Sequence, residues 1–95
     1  MNEQIIEIKD KILNALRRND VKRASLFGSV VRGELTDESD IDLLVEFRGR
    51  KSLLDLVGLK LELEEVLKRK VDVLTYNSLH PLLKDRILRE QEVIL

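Results

Sequence analysis

Between Asp40 and Phe47 the chain reads D-I-D-L-L-V-E-F, and this run limits the possible folds more than any other. Ile41, Leu43, Val45 and Phe47 recur at every second position, the period of a β-strand, so they share one face while Asp40 and Asp42 share the other. A continuous apolar face needs a covering layer of helices or a second sheet. The opposite face holds two carboxylates whose Cα atoms lie roughly 7 Å apart by strand geometry. Unscreened acids this close repel each other, and a hard divalent cation such as Mg²⁺ supplies the compensating charge. The spacing lets both acids reach one ion, or bridge two ions about 3.5–4 Å apart as in two-metal phosphoryl transfer. The plainer alternative is a solvated junction between loop and strand.

Other periodicities predict what surrounds this strand. Ile5, Ile8, Ile12 and Leu16 repeat at helical spacing, predicting an amphipathic helix over about Asn2 to Arg18 that Asn19-Asp20 ends. Ala24 to Phe27 reads as a brief buried strand bordered by Lys22-Arg23. Ser29 is placed to cap a short helix through Val30, Val31 and Arg32, with Gly33 to terminate it and a polar loop from Glu34 to Ser39. Ser52 opens a long helix through Leu67 that ends near Lys68-Arg69-Lys70. Some of its leucines exceed one face, so Leu54, Leu59 and Leu61 are candidates for a dimer or partner interface. Val71 to Thr75 is a further strand, Asn77 to Pro81 a turn, and Leu82 to Glu90 a last helix with Leu83 and Ile87 inward, before an apolar tail. The order helix, strand, short helix, strand, helix, strand, helix predicts an α/β domain with one small sheet covered by helices. With 95 residues and 43% apolar content, one core and a single domain over residues 1–95 are expected.

Charge narrows the partners. Seventeen basic and eighteen acidic side chains nearly cancel, so no global field draws the chain to nucleic acid or anionic lipid. Phe27, Phe47 and Tyr76 are its only aromatic residues, which leaves no base-stacking platform. The absence of cysteine removes thiolate catalysis and zinc-thiolate sites. A polar, acidic start and the lack of a bilayer-length apolar run predict a cytoplasmic protein without a membrane anchor.

Two further features could join the paired acids. Asp72 faces away from Val71, Val73 and Thr75 in what reads as a buried strand, and would be costly there alone. It either converges with Asp40 and Asp42 on one metal centre, caps a turn, or pairs with Arg69 or Lys70. Gly28 follows a strand and Ser29 opens a helix, the device by which backbone N–H groups and a hydroxyl hold phosphate, although Gly-Ser is equally a simple turn. Arg32 is in reach of a phosphate, or of Glu34 or Asp37.

Gly28-Ser29, ten residues, Asp40-Ile41-Asp42 and then Val71-Asp72-Val73 together resemble the signature of the DNA polymerase beta-like nucleotidyltransferase superfamily. The strings G-S-V-V-R-G-E and S-D-I-D-L-L-V-E-F in so short a chain resemble the minimal nucleotidyltransferases, the MNT type found beside HEPN-domain proteins in prokaryotic toxin–antitoxin pairs. The resemblance covers about Leu26 to Phe47 and Val71 to Leu74. It implies the nucleotidyltransferase fold with a small mixed sheet, two Mg²⁺ ions and ATP as substrate. It further implies that Asp40 and Asp42 ligate both metals, that Asp72 completes one metal shell and helps deprotonate the attacking hydroxyl, and that Gly28 and Ser29 bind the β and γ phosphates. The acceptor it implies is a hydroxyl of a partner HEPN-type toxin, which adenylylation neutralises. Only twenty residues follow Thr75, too few for a domain enclosing a second substrate, which fits a docking macromolecule and a homodimer or hetero-oligomer. The competing readings are a non-catalytic antitoxin that blocks its partner sterically, and nucleotidyl transfer to a small molecule.

Overall fold

A computed structural model describes residues 2–95. Helix α1 spans Glu3–Arg18, strand β1 Val21–Phe27, β2 Ile41–Phe47, helix α2 Leu53–Leu67, β3 Val71–Thr75, helix α3 Pro81–Glu90 and β4 Glu92–Val93, with single 3-10 turns at Gly28–Val30 and Tyr76–Ser78. The four strands form one mixed sheet in the order β3-β2-β1-β4. β1 runs antiparallel to β2 and β4, and β2 runs parallel to β3. A parallel pair needs a crossover, and α2 supplies it.

Local chemistry sets the helix ends. The Asn2 side chain accepts the Ile5 N–H at 2.9 Å, and its amide donates to the Val30 carbonyl at 3.0 Å, tying the start of α1 to the turn after β1. Ser52 and Asp55 form a reciprocal capping box at the start of α2, and Lys68 ends that helix at φ +56°. Ile5, Ile8, Ile12, Ala15 and Leu16 of α1 and Leu59 and Leu63 of α2 pack on the sheet face built from Ala24, Leu26, Ile41, Leu43, Val45, Val71 and Val73. The alternating apolar positions of β2 therefore face this core, as the sequence predicts.

Several local expectations need correction. β1 begins three residues earlier than expected, with Lys22 and Arg23 inside the strand. The β1–β2 register shifts between Val21 and Arg23, and this irregularity leaves two consecutive basic residues exposed. The apolar tail contains β4, which pairs with Ser25 and Leu26, while Ile94 is buried. Ser29 makes no side-chain cap; Phe27 occupies the cap position, and the turn is a single 3-10 turn rather than a short α-helix. Leu59 is fully buried and is core, whereas Leu54 (80% exposed) and Leu61 (58%) face outward. Leu83 is half exposed and α3 has no buried residue. Among the described residues no helix is long and apolar enough to cross a membrane.

Candidate active site

The parallel pairing of β2 with β3 sets Asp42 opposite Asp72. Side chains in register on neighbouring strands emerge on the same face, so the two carboxylates are side by side on the face turned away from α1 and α2. Asp40 lies immediately before β2. Burial pushes the Asp42 carboxyl up to about 6, helped by the negative charges of Asp72 and then Asp40, while the Arg32 guanidinium opposes the rise. The three predicted acids thus lie within electrostatic reach of one another. Asp72 itself is exposed, contrary to the expected buried strand, because only Val71 and Val73 of β3 turn inward.

The glycine after β1 completes this edge. Gly28 adopts φ +77°, and a Cβ built on it would lie 2.2 Å from Asp42 Oδ2. The backbone therefore runs directly against the acid, an approach that only glycine permits. The Gly28 N–H donates to Glu90 Oε1 at 3.1 Å, and Arg32 donates to the same oxygen at 2.7 Å and to Glu34 Oε2 at 3.1 Å. Arg32 takes Glu34 of the two expected partners and adds Glu90, which lies 58 positions away. Among the described residues the Ser29 hydroxyl takes no protein hydrogen bond, which leaves it free beside Gly28.

The donor set suits a hard cation, since carboxylate oxygens gathered at one sheet edge, with the half-buried Asp42 among them, are what Mg²⁺ neutralises. Among the described residues no three acid, imidazole or thiol side chains already converge as a finished coordination shell. Asp42 and Asp72 are brought together by register, and Asp40 stands at the strand mouth.

Three residues with site roles were not recognised from sequence. Arg69, expected at the end of α2 or as a partner of Asp72, donates to the carbonyls of Thr36 and Ser39, the latter at 2.7 Å. Together with the Ile41 N–H donating to the Lys70 carbonyl at 3.0 Å, this holds the loop that delivers Asp40. Glu90 is the second. Gln91 accepts from the Tyr76 hydroxyl at 3.3 Å, and that hydroxyl also bonds Ser25 at 2.6 Å beneath the Arg23 guanidinium, 4.2 Å above the ring. Tyr76 therefore packs on the sheet. All three new contacts are long-range, and nothing in local periodicity announces them. Toward the far end of β2, a cavity of about 400 Å³ is lined by Arg23, Glu46, Lys51, Tyr76 and Asn77 among others.

Residues 10–95 match the family described as Polymerase beta, Nucleotidyltransferase. The chain is similar to MJ0435 of Methanocaldococcus jannaschii, provisionally named a protein adenylyltransferase, with 65% identity over 91 residues, 96% of this chain and 98% of that protein. A solved structure provisionally named a minimal nucleotidyltransferase superposes with a TM-score of 0.81 at 39% identity, covering 95% of this chain and 92% of that one. A toxin–antitoxin structure with AMP-PNP superposes at a TM-score of 0.80 and 25% identity, covering 92% and 72%. Register, glycine edge and family match agree: the chain belongs to the polymerase beta nucleotidyltransferase family and is a nucleotidyltransferase.

Proposed function

We propose that the protein transfers AMP from ATP to a hydroxyl of a protein acceptor, and that the acceptor is a HEPN-type toxin which the modification neutralises. The observation that carries the chemistry is the Asp42–Asp72 pair with the Gly28 backbone against it. Asp40, Asp42 and Asp72 hold divalent cations, two Mg²⁺ ions in this reading, which supply charge stabilisation at the attacking and leaving oxygens when bound. The Gly28 N–H, the Ser29 hydroxyl and the Arg32 guanidinium bind the β and γ phosphates and orient the α-phosphorus toward the open face. Asp72, exposed beside Asp42, takes the proton of the acceptor hydroxyl. In-line attack forms the bond from acceptor oxygen to α-phosphorus and breaks the α–β phosphoanhydride bond, and pyrophosphate leaves with the β and γ phosphates.

A macromolecular acceptor is supported by the exposed Asp72 and by the apolar residues Leu53, Leu54, Leu61 and Leu82 on the surfaces of α2 and α3, which offer docking area. The adenylyltransferase name of the 65% identical relative and the toxin–antitoxin setting of the AMP-PNP structure point the same way. A cytoplasmic setting, where ATP and such a toxin meet, belongs to the same reading, as does assembly with the toxin or a second copy of the chain.

The test is incorporation of label from α-labelled ATP with Mg²⁺ into the purified partner, with the Asp40→Ala/Asp42→Ala double variant as control. Label on the partner that the double variant loses is the expected result. Partner binding without label, unchanged by the double substitution, would replace catalysis with steric blocking.

A further inference from the structure

Glu90 takes no part in the chemistry proposed above, yet its carboxylate occupies two anion donors at the edge of the site. One oxygen, Oε1, accepts both the Gly28 N–H at 3.1 Å and the Arg32 guanidinium at 2.7 Å. This is how a phosphate oxygen would be held, by a backbone amide that glycine leaves unshielded and by an arginine. The Glu90 side chain is only 20% exposed while that of Arg32 is 41% exposed, so the acid is the more enclosed partner, lying between helix and turn.

The element that carries Glu90 is lightly packed. α3 has no buried residue, whereas the chain beyond it is anchored: the Ile94 and Leu95 N–H groups donate to the Ala24 carbonyl at 2.9 and 3.2 Å, and Gln91 accepts from Tyr76. At the other end, His80 caps the helix by accepting the Leu82 N–H through Nδ1, and Pro81 opens it. α3 is thus a lightly packed span that leads into an anchored tail, and Glu90 is its one charged link to the phosphate edge.

We propose that Glu90 is an internal stand-in for a nucleotide phosphate, holding Gly28 and Arg32 until a polyphosphate takes both donors and releases α3 from its charged link to that edge. The inference rests on reading Gly28 and Arg32 as the phosphate edge. Glu90 then sets how much nucleotide is needed to fill the site, since occupancy requires exchange of one anion for another.

Inorganic tripolyphosphate is the probe, because it reports the anion edge whether or not any nucleotide is transferred. Glu90→Gln, close to isosteric and neutral, should tighten tripolyphosphate roughly tenfold by calorimetry, the size expected for removing one charge-assisted hydrogen-bonded competitor. Hydrogen exchange supplies a second reading. Tripolyphosphate should speed exchange of the α3 amides in the wild type, and Glu90→Gln should show that faster exchange without ligand, while β4 amides stay unchanged in both. Unchanged or weaker binding by Glu90→Gln, or no binding to either protein, overturns the proposal. Tightened binding in a protein that transfers no label from ATP supports the role of Glu90 while overturning the transferase reading.

Discussion

The two faces of the sheet are built from alternate residues of the same strands, and they obey different rules. On the covered face Ile41, Leu43, Val45, Val71 and Val73 meet α1 and α2, and all but Val73 are fully excluded from water. On the other face the in-register neighbours are Asp42 and Asp72, and a carboxyl that folding has made harder to ionise. The first face gains by excluding water, and the acid end of the second holds repulsion that Arg32 opposes in part and a bound cation would relieve further, so stability and chemistry are written one residue apart.

Substitutions on each face separate these rules. Asp42→Asn should lower nucleotidyl transfer by roughly a thousandfold or more, as loss of a ligand to the transition-state charge does. Thermal unfolding of the same variant should be no worse than wild type, and a variant with full activity would remove Asp42 from the site. On the covered side, Leu59→Ala should cost about 2–5 kcal/mol in denaturant unfolding, whereas Leu54→Ala on the same helix should cost no more than about 0.5 kcal/mol. Equal costs would mean that the exposed leucine is buried in solution by a partner or second copy.

Arg69→Ala tests the loop that links the two faces. Losing its bonds to the Thr36 and Ser39 carbonyls should loosen Asp40 and weaken divalent-ion binding about tenfold by titration, with Arg69→Lys recovering part of the effect. An unchanged ion affinity would show that Asp40 is positioned by β2 alone.

The smallest effect is pH-dependent. Because Asp42 holds its proton up to about 6 when folded, against an ordinary value of 3.8, the folded chain binds the proton more tightly than the unfolded chain. Its contribution to stability is therefore fully present below the unfolded value and is lost as pH rises through about 6. In metal-free protein Asp42→Asn should flatten this slope and stabilise the fold above that pH by on the order of 1 kcal/mol, after discounting for solvent screening. A slope that survives the substitution would assign it to another group.

Much of this division was legible from sequence, because both faces write themselves into local period. The β2 limits, the Ser52 cap and α1 follow from alternation or helical spacing alone. Register between β2 and β3 is a property of the folded sheet, so the neighbourhood of Asp72 could be framed only as a condition. β4 escaped because two residues of strand carry no period, and it exists through pairing with β1. The start of β1 escaped because Lys22 and Arg23 read as a boundary, whereas a register irregularity lets both point to water. The Ser29 cap failed for a local reason, since the positive φ at Gly28 sends the chain into a single 3-10 turn in which Ser29 follows the cap position. Glu90 and Arg69 act through contacts 62 and 30 residues long, beyond the reach of any sequence window.

The crossover through α2 makes neighbours of two acids that thirty positions separate in the chain. Their adjacency is held by strand pairing, so the length of the intervening connection is a nearly independent variable. The turn between Phe47 and Ser52, exposed at Arg48, Gly49, Arg50 and Lys51, is therefore a natural graft point: a loop, tag or reporter inserted there would lengthen the chain without altering the distance between Asp42 and Asp72.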